Sequence, residues 1–173
     1  NLVVNADGLG TNGFGFHLIN NADSNIIRNC RILTPQTSTT ANYGGIIVSA
    51  SETSGTGAGN TFCDANLFEN NTITGGQFGI TLVGSATIAI NDNIARKNTI
   101  SDYNVYGIYV SGTNNTLVDS NIISRRGRTN ALTCYGVHAT GISNNLSVTR
   151  NRVSNPYTGN PLATSAFFAV FFT

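Results

Sequence analysis

Val105-Tyr-Gly-Ile-Tyr-Val-Ser-Gly-Thr-Asn-Asn-Thr-Leu-Val-Asp-Ser-Asn-Ile-Ile-Ser124 is the plainest copy of a unit that recurs along this chain. It holds a glycine followed by alternating residues, an Asn-Asn turn, a short apolar strand, a second Asn corner and another apolar strand. Taking its glycine as a marker, copies begin at Gly15, Gly45, Gly79, Gly107 and Gly136, with Ala166 in the equivalent place of a sixth, at spacings of 30, 34, 28, 29 and 30 residues. A second marker is the apolar residue two positions after a corner: Ile32 after Cys30, and Ile73, Ile100, Ile123 and Val153 after Asn71, Asn98, Asn121 and Asn151. The shortest segments between markers define an undecorated unit of 22 residues.

Each copy alternates after its glycine as a half-buried strand does. Phe16, Ile46, Ile80, Ile108, Val137 and Phe167 form one inward column, and Leu18, Val48, Leu82, Val110, Ala139 and Ala169 form another. Between them His17, Ile47, Thr81, Tyr109, His138 and Phe168 face outward. Ile27, Phe68, Ala95, Val118 and Val148 make a third inward column on the middle strand. A short unit of this kind cannot bury its apolar face alone, but stacked copies build a continuous core. The prediction is therefore an all-β solenoid, residues 1–173 forming one domain of about six rungs with ~4.8 Å between rungs.

The same columns predict how the stack is held. Asn71, Asn98, Asn121 and Asn151 would form an amide ladder, with Cys30 in the same place on the first rung. Arg28, Glu69, Arg96, Asp119 and Thr149 would form an outward column of alternating charge. Asn1 to Asn5 match the middle strand 115–119, and the run Phe167–Phe172 closes the chain with outward Phe168, Val170 and Phe172. Both ends thus read as mid-coil, which implies a longer parent chain or a partner stacked at the Phe167–Phe172 end.

The Asn-x-Ile corners and Gly-Ile-x-Val strands resemble the right-handed parallel β-helix proteins, including the pectate-lyase-like group. The resemblance covers essentially the whole chain. It implies a single-stranded right-handed parallel β-helix, a fold shared by lyases, hydrolases, epimerases, adhesins and phage tailspikes. The Asn-Thr-Asp, Asp-Asp, Gly-His-Gly and Arg-Ile-Lys strings of its polygalacturonase-like hydrolases do not occur, nor does the Asp-Pro-His string of alginate epimerases. The resemblance suits an exported bacterial protein, secreted or attached to the cell surface.

Composition agrees with that setting. Only 10% of the 173 residues are charged, so amides and hydroxyls must satisfy the surface. The net charge of +1 conceals a split: residues 1–119 carry all eight acids, whereas residues 120–173 carry Arg125, Arg126, Arg128, Arg150 and Arg152 and no acid. Net charge this small, with no recognition motif, argues against nucleic acid. The three cysteines have no zinc spacing and allow at most one disulfide. No apolar run reaches membrane-spanning length.

Insertions mark where function could sit. The segments after Ile32, Ile123 and Val153 are each seven residues longer than the shortest, and a glycine-rich loop occupies residues 51–60. The candidate ligand site is the basic corner: Arg125, Arg126, Arg128, Arg150, Arg152 and Tyr157, able to clamp an anionic glycan. Beside it Tyr109, His138 and Phe168 form a candidate sugar-stacking strip. No catalytic constellation, metal site or cofactor is predicted: His17 and His138 lie four rungs apart, roughly 19 Å, and Glu69 and Asp119 are separated by Arg96. The expected function is a non-catalytic structural or adhesive module. The alternative is a polysaccharide-active lyase or hydrolase, or its glycan-binding portion, acting on the strip from Thr81 to Phe168.

Overall fold

The computed structural model describes residues 2–8 and 10–173. Eighteen strands and no helix make up the described chain, and the strands fall into three parallel sheets that wrap one core. The first sheet stacks β2 (Gly13–Leu18), β5 (Tyr43–Val48), β8 (Phe78–Val83), β12 (Tyr106–Asn114), β15 (Cys134–Asn144) and β18 (Phe167–Phe172), with β9 (Ile90–Asn91) pairing beside β12. The second stacks β3 (Ile26–Arg28), β6 (Leu67–Glu69), β10 (Ile94–Arg96), β13 (Leu117–Asp119) and β16 (Ser147–Thr149). The third stacks β1 (Val3–Asn5), β4 (Arg31–Leu33), β7 (Thr72–Thr74), β11 (Thr99–Ser101), β14 (Ile122–Ser124) and β17 (Arg152–Ser154). This is a parallel β-solenoid of about six turns.

The register follows the apolar columns. Ile46, Ile80, Ile108 and Val137 align and are fully buried, as do Ile32, Ile73, Ile100 and Ile123 on the third sheet. The marker glycine exists because two surfaces meet there. A Cβ on Gly79 would lie 2.4 Å from Ile100 Cγ2 and 2.5 Å from the Gly107 carbonyl, so no larger residue fits. The glycine and the residue after it both face the interior, and the strand bends at that point.

Two corners of each turn rest on left-handed residues. Asn29, Asn70, Lys97, Ser120 and Arg150 have φ of 52–56°, immediately before the corner Asn or Cys. Ser24, Ala65, Asp92, Asn115 and Asn145 repeat the device between the first and second sheets. Parallel pairing leaves the corner amides open, and side-chain amides fill them. Asn71 Nδ2 donates to Asn98 Oδ1 (3.0 Å), Asn98 to Asn121 (3.0 Å) and Asn121 to Asn151 (2.9 Å). Each Oδ1 also accepts the backbone N–H one rung back, including Cys30 N to Asn71 Oδ1 at 3.0 Å. A second, shorter ladder runs from Asn25 through Asn66 to Asn93.

Four expectations need correction. Residues Val3–Asn5 pair in the third sheet, Val4 opposite Ile32, and not in the middle one, because an Asn-flanked apolar triplet suits either strand; Asn1 lies outside the described residues. At the other end, Ala169 and not Ala166 packs against Gly136, so Phe168 aligns with Tyr135 and Phe171 with His138. Phe168 and Phe171 face outward, whereas Val170 and Phe172 continue the inward columns of Val137 and Ala139. Ile47 and Thr81, in the outward column, are fully buried. The 51–60 loop lies over the Ile47 side of this face, with Gly55 against Phe78 and Ile47. The alternating charges form one cross-rung pair, Arg96 Nε to Glu69 Oε1 at 2.8 Å; Asp119 turns instead to Arg150 at 2.6 Å.

Candidate functional site

The basic corner is built from three long connections that leave the third sheet on one side of the coil: residues 34–42, 125–133 and 155–166. Short connections lie between the first two, so the longer ones arch across them and meet. Arg128 Nη2 donates to the Ser38 carbonyl, ninety positions away. Asn160 Nδ2 donates to the Thr129 carbonyl at 2.9 Å and joins the third loop to the second. Underneath, Asn130 Nδ2 donates to Asn104 Oδ1, and Asn104 Nδ2 to Gln77 Oε1, a polar chain across three turns.

Arg125 sits at the centre of this scaffold with none of its surface exposed. Its Nε donates to the Tyr103 and Asn104 carbonyls (both 3.0 Å), Nη1 to the Pro156 carbonyl (3.1 Å) and Nη2 to Asn130 Oδ1 (2.7 Å) and O (3.1 Å). Its guanidinium carbon lies 5.7 Å from the Tyr157 ring centroid. These contacts leave nothing of Arg125 for a ligand; it ties the irregular loops to the coil. Tyr157 is likewise internal to the scaffold, its hydroxyl within reach of the Leu132 (2.8 Å) and Ala166 (2.6 Å) carbonyls. Burial, reinforced by the neighbouring Cys134, pushes the Tyr157 hydroxyl well above the ordinary phenol range.

The remaining arginines separate. Arg150 stands on the second-to-third sheet corner and grips Asp119 through Nε (2.8 Å) and Nη2 (2.6 Å). That pairing, with hydrogen bonds from Thr149 and Ser120, holds the Asp119 carboxyl well below the usual carboxylate range. Arg126 and Arg152 are exposed. Arg128 is only 4% exposed, and its Nε has no partner among the described residues. Burial, aided by the like charge of Arg125, pushes its guanidinium down to about 10. The six predicted ligand residues of the corner are therefore not one site but a buried clamp, an ion pair, two solvated arginines and one buried arginine without an ion-pair partner.

The aromatic face is larger than the sequence suggested. Tyr109 and His138 align on adjacent turns, and Phe171, not Phe168, continues their column. Next to it runs a second column, Phe78, Tyr106, Tyr135 and Phe168, stacked at centroid distances of 5.6, 5.1 and 5.3 Å with planes within 15°. His138 packs against both Tyr106 and Tyr135, at 5.3 and 4.7 Å. Phe78, Tyr106, Tyr135 and Phe171 are the residues that sequence reasoning missed. The signal was present for three of them, since an aromatic immediately precedes the marker glycine at Phe14, Phe78, Tyr106 and Tyr135. In the Phe78–Phe168 column the rings cover one another's faces and turn edges outward, whereas a sugar ring stacks on an exposed face.

Among the described residues no group of three or more His, Cys, Asp or Glu side chains is placed to hold a metal ion. Cys30, Cys63 and Cys134 are all free thiols, and burial pushes the thiols of Cys63 and Cys134 up, away from reactivity. A cavity of about 470 Å³ is lined by Ala139, Ser143, Leu146 and Phe172 at the last turn, apart from the arginines. Searches of protein-family models, curated proteins and solved structures return no match to this chain.

Proposed function

We propose that this chain is a non-catalytic structural or adhesive β-solenoid module of a secreted or cell-surface bacterial protein. On this reading it shares the coil of the pectate-lyase-like proteins that its repeats resemble, without their chemistry. One observation carries the reading: the side chains best able to act on a substrate engage each other or the backbone. Arg125 holds five acceptor contacts, Asp119 and Arg150 hold each other, Glu69 holds Arg96, and the stacked aromatic rings cover their own faces. Asn, Ser and Thr supply much of the outer surface, with scattered exposed apolar residues such as Ile26, Ile122 and Ile142 and a few solvated arginines, which suits a spacer.

The test is turnover against a panel of neutral and anionic polysaccharides, followed by reducing ends and by unsaturated products. The expected outcome is no cleavage above a heat-treated control. Cleavage of any glycan that disappears in His138→Ala or Arg126→Ala would overturn the proposal in favour of a polysaccharide-active enzyme.

A further inference from the structure

The gap between the 34–42 and 125–133 loops is a cavity of about 210 Å³ lined by Gln36, Thr37, Thr39, Arg128 and Thr129. One of its lining residues, Arg128, is only 4% exposed, yet among the described residues its guanidinium makes one hydrogen bond, to a neutral carbonyl, and leaves Nε without a partner. Such a group is anomalous, because buried charges are ordinarily paired and buried donors satisfied. The charges around it do not balance. Arg125 lies nearby with only neutral oxygens as acceptors. Two carboxylates lie near, and among the described residues neither forms an ion pair with Arg128: Asp102 accepts the Gly127 N–H at 2.6 Å, and Asp7 lines a neighbouring cavity with Thr37 and Thr39. Arg126, on the same loop but not among the lining residues, is exposed to solvent.

We propose that this cavity binds a single oxyanion group, a carboxylate or a sulfate, with Arg128 as the charged donor and the threonine hydroxyls as neutral donors. The volume fits that assignment: it equals the liquid share of roughly seven waters and falls below the range of drug-sized pockets. One acidic substituent, with at most part of the sugar that carries it, fills the space. The Ser38 bond already restrains the guanidinium, so less side-chain freedom remains to be lost when a ligand binds. The ligand would join two loops far apart in sequence, so binding stabilises the corner as well.

The experiment is a titration of the ¹⁵N-labelled chain with sodium sulfate, sodium acetate, a galacturonic acid trimer and a neutral trimer, each against sodium chloride at matched ionic strength. Arginine Nε–H resonances are followed, the Arg128 signal being identified by its loss in Arg128→Gln or Arg128→Lys. The expected result is a saturable shift of that signal with a dissociation constant in the ~mM range. Arg128→Gln should weaken binding about tenfold or more, and Arg126→Gln less than about twofold. Equal affinity for the free ions and the acidic trimer identifies a free anion. An acidic trimer about tenfold tighter than sulfate, with the neutral trimer silent, identifies an acidic glycan. Either outcome upholds the site. No shift beyond that in chloride overturns it, and the titration of the native chain stands even if the Arg128 variants fold poorly.

Discussion

Replacing Asn98 by alanine tests whether the inner amide ladder holds the coil. Asn98 is fully buried and its side chain takes part in four hydrogen bonds: Nδ2 to the Phe68 carbonyl (2.9 Å) and to Asn121 Oδ1 (3.0 Å), and Oδ1 from Asn71 N and Nδ2 (both 3.0 Å). Alanine strips the Asn71 N–H and one Asn71 amide N–H of their partners and removes one donor from the Phe68 carbonyl, all at a buried rung. Asn121 Oδ1 keeps the backbone N–H of residue 98 and is not orphaned. At about 1–3 kcal/mol for each unsatisfied buried group, with partial relaxation, the variant should lose about 3–6 kcal/mol, against a total of about 5–15 for a domain of this kind. Asn151→Ala removes bonds of the same kind from a half-buried rung, where water can replace them, and should cost about 1–2 kcal/mol. Urea unfolding followed by circular dichroism measures both, provided the slopes with denaturant agree. A loss under about 1 kcal/mol for Asn98→Ala, or one no larger than that of Asn151→Ala, would refute the reasoning.

Two further outcomes follow from the packing. Gly79→Ala places a methyl against Ile100 and a backbone carbonyl that belongs to the next turn, and should destabilise by about 2 kcal/mol or more; Gly10→Ala, with its nearest neighbour at 3.6 Å, should stay within about 0.5 kcal/mol in the same urea assay. His138 is 9% exposed within the aromatic stack, and burial pushes its imidazole below the ordinary value of 6.5. The unfolded chain therefore takes up the proton first, so this contribution to stability is whole above about pH 6.5 and is lost as pH falls toward the lower folded value. Thermal midpoints from pH 7.5 to 5 should decline in the native chain and decline less in His138→Phe, and identical slopes would count against a buried neutral histidine.

The coil was readable from sequence because each turn repeats the same physical demand. Gly79 and its equivalents recur where an inward isoleucine and a neighbouring carbonyl leave no room, and Asn98 and its equivalents recur where a corner lacks a hydrogen-bond partner. The last turn was misplaced by three residues because the bend at the glycine puts outward residues three apart, as at Tyr135 and His138, so that the Phe167–Phe172 run satisfies either alignment. The basic corner was legible as charge but not as geometry. Whether Arg125 is inside or outside depends on the carbonyls of Tyr103, Asn104, Asn130 and Pro156, and backbone oxygens in irregular loops leave no mark on side-chain pattern. The stacked column was missed for the opposite reason: its residues sit at the bend, where strict alternation assigns them no face.

The unequal turn lengths bear on how the chain folds. Successive ladder partners are separated by 41 residues from Cys30 to Asn71, 27 to Asn98, 23 to Asn121 and 30 to Asn151. Closing the 23-residue turn costs about 0.5 kcal/mol less chain entropy than closing the 41-residue one, by the logarithmic dependence on loop length. The stretch around Val105–Ser124 is thus the least costly place for two rungs to meet. Once they have met, each new turn needs only its neighbour, so contact distance along the chain does not grow as the coil lengthens. Such a chain winds outward from its plainest repeat, and its loops are laid on after the rungs that carry them.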